Sequence, residues 1–218
     1  MTGYSRSPRL VRGGLVVLDP TTGVTRQVIT LQYNPDTLTR SFQVQAVGDN
    51  APRSQALRLT APPVETVKVD AELDAADQLE FPDSNPDAAR FGIHPQLAVL
   101  EQLIYPTVAQ LTATDALGAL GTLEIAPMEA PLTVFVWSAS RIMPVRLTEL
   151  SVTEEAFDPN LNPLRAKVSL GMRVLTVHDV GFDNRAGSLY LAHHRRKEEL
   201  AARVAPAALA ALGIGGLS

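Results

Sequence analysis

Few side chains in this 218-residue chain have the chemistry of a catalyst or a metal site, and their spacing decides against most of them. His94, His178, His193 and His194 are the groups able to exchange a proton near neutral pH or to ligate a transition metal. His193 and His194 are neighbours in a helical pattern, so they point about 100° apart and make no two-ligand site. His94 stands beside Pro95 at a helix start, the place of a cap or an exposed side chain rather than of a base. Asp77, Glu80, Asp83 and Asp87 are clustered oxygen donors, but the run lacks the central glycine and closing glutamate of a calcium loop. Residues 74–92, acidic and broken by two prolines, therefore read as a solvated surface loop. Gly118 and Gly121 have no Gly-Lys-Ser/Thr behind them and read as a turn, not a phosphate cradle. His193 to Lys197 form a cationic cluster, yet Glu198 and Glu199 follow at once, as on a salt-bridged helix face.

No GxSxG, HExxH, Walker loop or strand-linked GxGxxG occurs. With no cysteine there is no thiolate, disulfide or Cys-based zinc site. The sequence thus assigns no catalytic, cofactor-binding or metal-binding residue and predicts a protein that is not an enzyme. A triad scattered along the chain is the one catalytic reading left open. What stands out instead is Arg165, Lys167 and Arg173, three cations on one side of a strand-like segment in a chain of net charge −4. That is chemistry for contact with a partner, at an assembly or channel face, and its alternative is an ordinary solvated strand face.

The same net charge, with aromatics at only 5%, argues against nucleic-acid binding, which needs a concentrated cationic face and stacking platforms. Hydrophobic content of 45% against 19% charged implies a folded core. No apolar run approaches the roughly 20 residues of a membrane helix, and Arg6, Arg9 and Arg12 precede no apolar signal segment. The expectation is a cytoplasmic protein without a membrane segment.

The elements that position these residues are mostly strands. Residues 132–137 alternate with both faces largely apolar, as in a strand covered on two sides. In residues 142–152 the apolar phase changes between Val145/Leu147 and Leu150/Val152, which predicts a bulge near Thr148 and Glu149. Over residues 165–174, Ala166, Val168, Leu170, Met172 and Val174 take one face, while Arg165, Lys167, Ser169, Gly171 and Arg173 take the other. Asp158-Pro159 and Asn162-Pro163 make the connection before it a loop rather than a tight turn. Upstream, residues 15–18 and 24–33 read as a hairpin, Asn34-Pro35 as a corner, residues 37–44 as a strand, and residues 67–73 as a half-buried strand stiffened before its start by Pro62-Pro63. One core helix follows Pro95, with Leu97, Leu100, Leu103 and Ile104 on a stripe, and stops before Pro106. Residues 107–130 are ambiguous, with Leu123 and Ile125 as a short strand. Ser188 is the expected cap of a helix running to Pro206, and a short helix after it ends at Gly213. The domain reading is an N-terminal arm at 1–14, a β domain at 15–180, and a C-terminal helical appendage at 181–218 that docks outside the β core.

Taken in order, YNPDTLTRSF, APPVETVKVDAELDAAD, GIHPQLAVLEQLIYP and PLTVFVWSASRIMPVRLTELSVTEEAFDPNLNPLRAKVSLGMRV resemble the tube-domain family of contractile injection systems, the phage-tail-like particles of bacteria. The elements that carry the resemblance are Asn34-Pro35, the apolar run ending at Trp137, the strand from Leu150 to Phe157, and the Pro-Leu-Arg-Ala step at residues 163–166. Many relatives carry a C-terminal LysM module, which is absent here. The resemblance implies a mainly β, α+β fold: a tail-tube-like antiparallel β-barrel or sandwich with one flanking core helix and a C-terminal helical appendage. It further implies a structural baseplate protein, of hub or tube-initiator type, assembled as a six-subunit ring that joins the spike hub to the inner tube. The implied partners are further copies of the chain, the spike or hub protein, the inner tube protein and the baseplate wedge proteins. An all-β ligand-binding module without catalytic activity, using the acidic residues 74–92, is the alternative.

Overall fold

The computed structural model describes residues 11–19, 22–46, 58–119, 130–205, 207 and 209–213. Its strands are β1 Gly14–Leu18, β2 Thr25–Thr30, β3 Leu38–Ala46, β4 Leu59–Asp74, β5 Leu132–Ser138, β6 Arg141–Phe157 and β7 Pro163–Val174. They form one antiparallel sheet in the order β2-β1-β5-β6-β7-β4-β3. The α+β class read from sequence holds: a mainly antiparallel sheet with helices packed on it, open rather than closed into a barrel.

The sheet is nevertheless strongly curled. Its edge strands β2 and β3 are consecutive in the chain, joined by residues 31–37 alone. Six strand spacings laid flat would separate them by about 29 Å, which is about the limit that the connection could span fully extended. Gln32, two residues past β2, instead exchanges hydrogen bonds with the end of β4: its Nε2 donates to the Asp74 carbonyl and the Asp74 N–H donates to its Oε1, both at 2.8 Å. The two edges are thus drawn toward each other around the core.

That core follows the period-2 pattern. Ala166, Val168, Leu170, Met172 and Val174 of β7 are all buried, beside Val67, Val69 and Ala71 of β4 and Phe135 of β5. Helix α3, His94–Glu101, closes the same cluster through Leu97 and Leu100, joined by Ile93 and Leu103 just beyond its two ends. Ile104, expected on that stripe, is largely exposed because the helix has ended by then. On the opposite face Leu18, Leu132 and Val134 make a smaller cluster with Ala186 and, at its margin, Val180 and Leu189. β5 is therefore covered on both sides, as its two apolar faces predict.

The expected bulge is present: pairing of β6 with β7 shifts between Leu147 and Glu149, leaving Thr148 extra and restoring Leu150 and Val152 to the core face. Gly171 lies opposite, where a Cβ would come within 2.9 Å of the Glu149 Cβ, so the bulge needs a residue without a side chain. Pro62 and Pro63 fall inside β4, not before it, at a register irregularity with β3 and beyond the last residue that β7 pairs. Missing donors there cost no ladder bond on the β7 side.

Three stretches differ from the sequence reading. Residues 74–92 are short helical turns: α1 Ala76–Leu79, a 3₁₀ turn at Pro82–Ser84, and α2 Pro86–Phe91. Both prolines occupy first-turn positions, where a missing N–H costs nothing, so they start helices here instead of breaking a loop. Gly92 (φ +58°) then turns the chain so tightly that a Cβ would strike the Pro163 carbonyl oxygen. The ambiguous stretch opens with an exposed helix, α4 Val108–Ala119, capped by Thr107 Oγ1, which accepts from the Gln110 N–H at 3.2 Å. Gly121, Leu123 and Ile125 lie outside the described residues.

The third difference is C-terminal. After α5, Val177–Val180, helix α6 runs over Arg185–Ala201, capped by Asn184 and not by Ser188. Asn184 Oδ1 accepts from the Ala186 N–H at 2.9 Å. Rather than docking outside the β core, α6 is packed into it, with Ala186, Tyr190 and His193 buried and Tyr190 in the main cluster. β7 stops at Val174 while β6 and β4 extend further, and α6 packs on β6 and reaches Glu65 of β4 in that space. The short terminal helix is a 3₁₀ turn at Leu209–Leu212, followed by Gly213 at φ +72°. Among the described residues no helix is long and apolar enough to cross a membrane.

Candidate functional site

The alternation of β7 puts Arg165, Lys167 and Arg173 on the sheet face away from the main core, with side chains 51%, 59% and 32% exposed. Antiparallel register brings acids from both neighbouring strands to the same face. Arg165 bridges Asp74 of β4 (Nη2 2.7 Å, Nε 2.8 Å), and Lys167 bridges Glu155 of β6 at 2.9 Å. Arg173 donates to Asp179 of α5 at 2.6 Å. Lys68 and Glu149 add a looser pair at 3.4 Å, and Ser169 Oγ donates to Asp70 at 2.7 Å. Sequence saw three cations; the register supplies Arg165 and Lys167 with carboxylates, and the helix that follows β7 supplies Arg173. These contacts also set the pKa directions: the Ala76 N–H, with Arg165, holds the Asp74 carboxyl below its ordinary value, while Asp74 and Glu155 raise Arg165 and Lys167 respectively.

A groove of about 750 Å³ runs over this face, walled by residues 33–37 and floored by β4, β7 and β6. Asp36, Asp70 and Glu72 line it together with Lys167.

The histidines do not converge. His94 is exposed at the start of α3, His178 is exposed in α5, and His194 lies on the outside of α6, 3.4 Å from Glu198 and stacked on Tyr190. His193 faces inward, 6% exposed, and neither ring nitrogen has a hydrogen-bond partner among the described residues. Burial, with Lys197 close by, pushes its pKa down to about 4. Asp77, Glu80, Asp83 and Asp87 remain a solvated set; among the described residues no three His, Asp or Glu are grouped to hold a metal ion.

Sequence reasoning missed one constellation. Glu65 of β4 is buried at 4% exposure and accepts from Arg40 Nε of β3 at 2.8 Å and from Lys197 Nζ of α6 at 2.8 Å. Both cations also lie over the Phe42 ring, at 4.8 and 5.6 Å. Burial would raise the Glu65 carboxyl, but the hydrogen bonds from Lys197 and Arg40 outweigh it and leave the pKa lowered. The available signal was phase: Glu65 falls on the same side as Val67, Val69 and Ala71, so an acid there must be buried and needs partners.

The outer sides of β2 and β3 have no strand partner among the described residues. Phe42 and Val44 of β3, Leu59 of β4 and Val28 of β2 are exposed along or near these edges. Compared with known proteins, the chain matches no protein-family model and no curated protein.

Proposed function

We propose that this chain is a structural, non-catalytic component of a contractile injection system, forming a hexameric ring at the baseplate that joins the spike hub to the inner tube. The observation that carries the reading is the pair of unpartnered edges on one curled sheet, taken with the family resemblance of residues 25–178. An unpaired strand with exposed apolar side chains invites another chain. Two different edges joined head to tail build a heterologous interface, which closes into a ring at the right rotation. In that ring Arg165, Lys167 and Arg173 repeat around the axis on the face that meets the channel or a neighbouring ring. Assembly takes place in the cytoplasm, with the spike or hub, inner tube and wedge proteins as partners.

Native mass spectrometry of the purified protein, alone and mixed with an inner tube protein of the same particle, tests this. Six-fold masses or co-assembled rings are the expected result, and a strict monomer that ignores the tube protein overturns it. The groove of about 750 Å³ favours a second reading, a ligand-binding module without catalytic activity. A monomer that binds small molecules would select it.

A further inference from the structure

We infer that the free edge of β2, walled by helices α1 to α3, is a binding site for an extended, uncharged peptide segment of a partner protein, which adds to the sheet as one more strand. Backbone hydrogen bonding fixes the phase of this edge. The Leu31 N–H donates to the Gly13 carbonyl at 2.9 Å, and Thr30, Ile29 and Val28 then stand opposite Gly14, Leu15 and Val16 in unbroken register. Antiparallel pairs alternate between bonded and non-bonded, so Leu31, Ile29 and Gln27 direct their N–H and C=O groups to β1, while Thr30 and Val28 direct theirs outward. No strand lies on that side among the described residues.

The outward groups open onto a groove, not onto flat surface. It measures about 520 Å³, runs between residues 27–30 and helices α1 to α3, and has Leu73, Val99 and Leu100 in its apolar lining. Gln78 and Gln96 line it too, and the Gln96 amide is incompletely used. Its Nε2 reaches Gln78 Oε1 only at 3.5 Å, and its Oε1 is buried without a hydrogen-bond partner among the described residues. Two outward main-chain positions and a spare amide acceptor around an apolar pocket are the groups that a peptide main chain with apolar side chains satisfies, which is recognition by strand addition. Near Asp74 the fold has met the same need internally: the N–H and C=O of Asp74 are both taken by the Gln32 side-chain amide at 2.8 Å. Val28 and Thr30 have no such cover. Asp87 is the only charged side chain among the described residues of the lining and is exposed, so nothing in the groove calls for a charged ligand. The inference does not rest on the ring reading, because the groove asks for main chain and not for a second copy.

The probe is a hexapeptide of alternating Val and Thr, capped at both ends and added at millimolar concentration to the dilute full chain. Amide hydrogen exchange is expected to slow at Val28 and Thr30 by roughly tenfold, with β3, the other free edge, unchanged. The same peptide N-methylated on alternate residues, which keeps its side chains and loses the donors of one edge, should give no protection. Val28→Pro removes an outward donor without touching the β1 ladder and should weaken binding, followed at Thr30, by roughly tenfold. If that variant fails to fold, the N-methylated peptide decides alone, because it leaves the protein unchanged. No protection of β2, equal protection by the N-methylated peptide, equal protection of β3, or a folded Val28→Pro chain that binds as before would each overturn the inference. Protection of Val28 and Thr30 that rises with protein concentration and needs no peptide would give the groove to a second copy, which overturns this inference while favouring the ring.

Discussion

Two sets of ion pairs, built from the same residue types on one sheet, behave in opposite ways. On the outer face of β7, Arg165–Asp74 and Lys167–Glu155 are water-exposed pairs whose members lose little when separated. At the inner end of β4, Glu65 is buried and enclosed by Arg40 and Lys197. The exposed set decorates the fold, whereas the buried set ties β3, β4 and α6 into one unit. Position relative to the core, and not the count of charges, decides which pairs hold the structure.

The comparison breaks most severely if α6 is dispensable. Deleting residues 185–218 removes Lys197 from Glu65, strips Tyr190 from the main cluster and uncovers Leu18, Leu132 and Val134. Loss of a cooperative thermal transition and binding of a hydrophobic dye are expected; a sharp melt with intact strand circular dichroism would show that α6 is a mere appendage.

A smaller change reaches the same cluster. Glu65→Ala leaves two cations facing a buried gap and is expected to cost about 3–5 kcal/mol in denaturant unfolding, the range for breaking one partner of a buried pair. Replacing the set together, with Glu65→Leu, Arg40→Leu and Lys197→Met, should recover most of that loss. Equal destabilisation by the single and triple variants would mean that packing, not charge, dominates the site.

His193 sharpens the comparison through pH. The unfolded chain takes up a proton on this ring near 6.5, the folded chain only near 4, so between those values the unfolded state binds more protons. Its contribution is fully present above pH 6.5 and is lost as pH falls through about 4, where it amounts to roughly 3 kcal/mol. Glu65 adds a loss of the same sign below its ordinary value of 4.5. Stability measured from pH 7 to 4 should therefore fall, and His193→Phe should flatten the upper part of that slope. An unchanged slope would place the titrating group elsewhere.

The smallest effects belong to the outer face. Arg165→Gln and Lys167→Gln are expected to shift the melting temperature less than any variant above, and added salt should erase the shift. Under the ring reading, Arg165→Glu, Lys167→Glu and Arg173→Glu together keep the monomer folded while changing ring stacking or particle incorporation in electron micrographs. Normal particles from that triple variant would reduce the face to plain solvent exposure.

Much of the fold was legible because strand alternation is a local signal. The β7 core face, the two-sided burial of β5 and the Thr148 bulge follow from phase alone. The short helices of residues 76–91 were not legible, since prolines and acids serve a loop and a first helical turn equally well. The start of α6 was misplaced by four positions of the cap because Asn184 and Ser188 are both good caps, and only the packing of Ala186 against Leu18 and Leu132 selects the earlier one.

The sequence by itself determined which residues of each strand face the core, because that depends on neighbours one and two positions away. It also determined that the outer face of β7 carries Arg165, Lys167 and Arg173. Arg173 meets Asp179 only six residues on, but the tertiary structure decided the long-range partners. Asp74 lies 91 residues from Arg165, and Lys197 lies 132 residues from Glu65. Pairs at such separation are set by strand order and sheet curl, which arise when residues 31–37 draw β2 toward the end of β4 and α6 fills the space that β7 leaves. No local pattern encodes that closure, because it is the joint outcome of β1, β4, β5, β6 and β7 burying one face together with the helices.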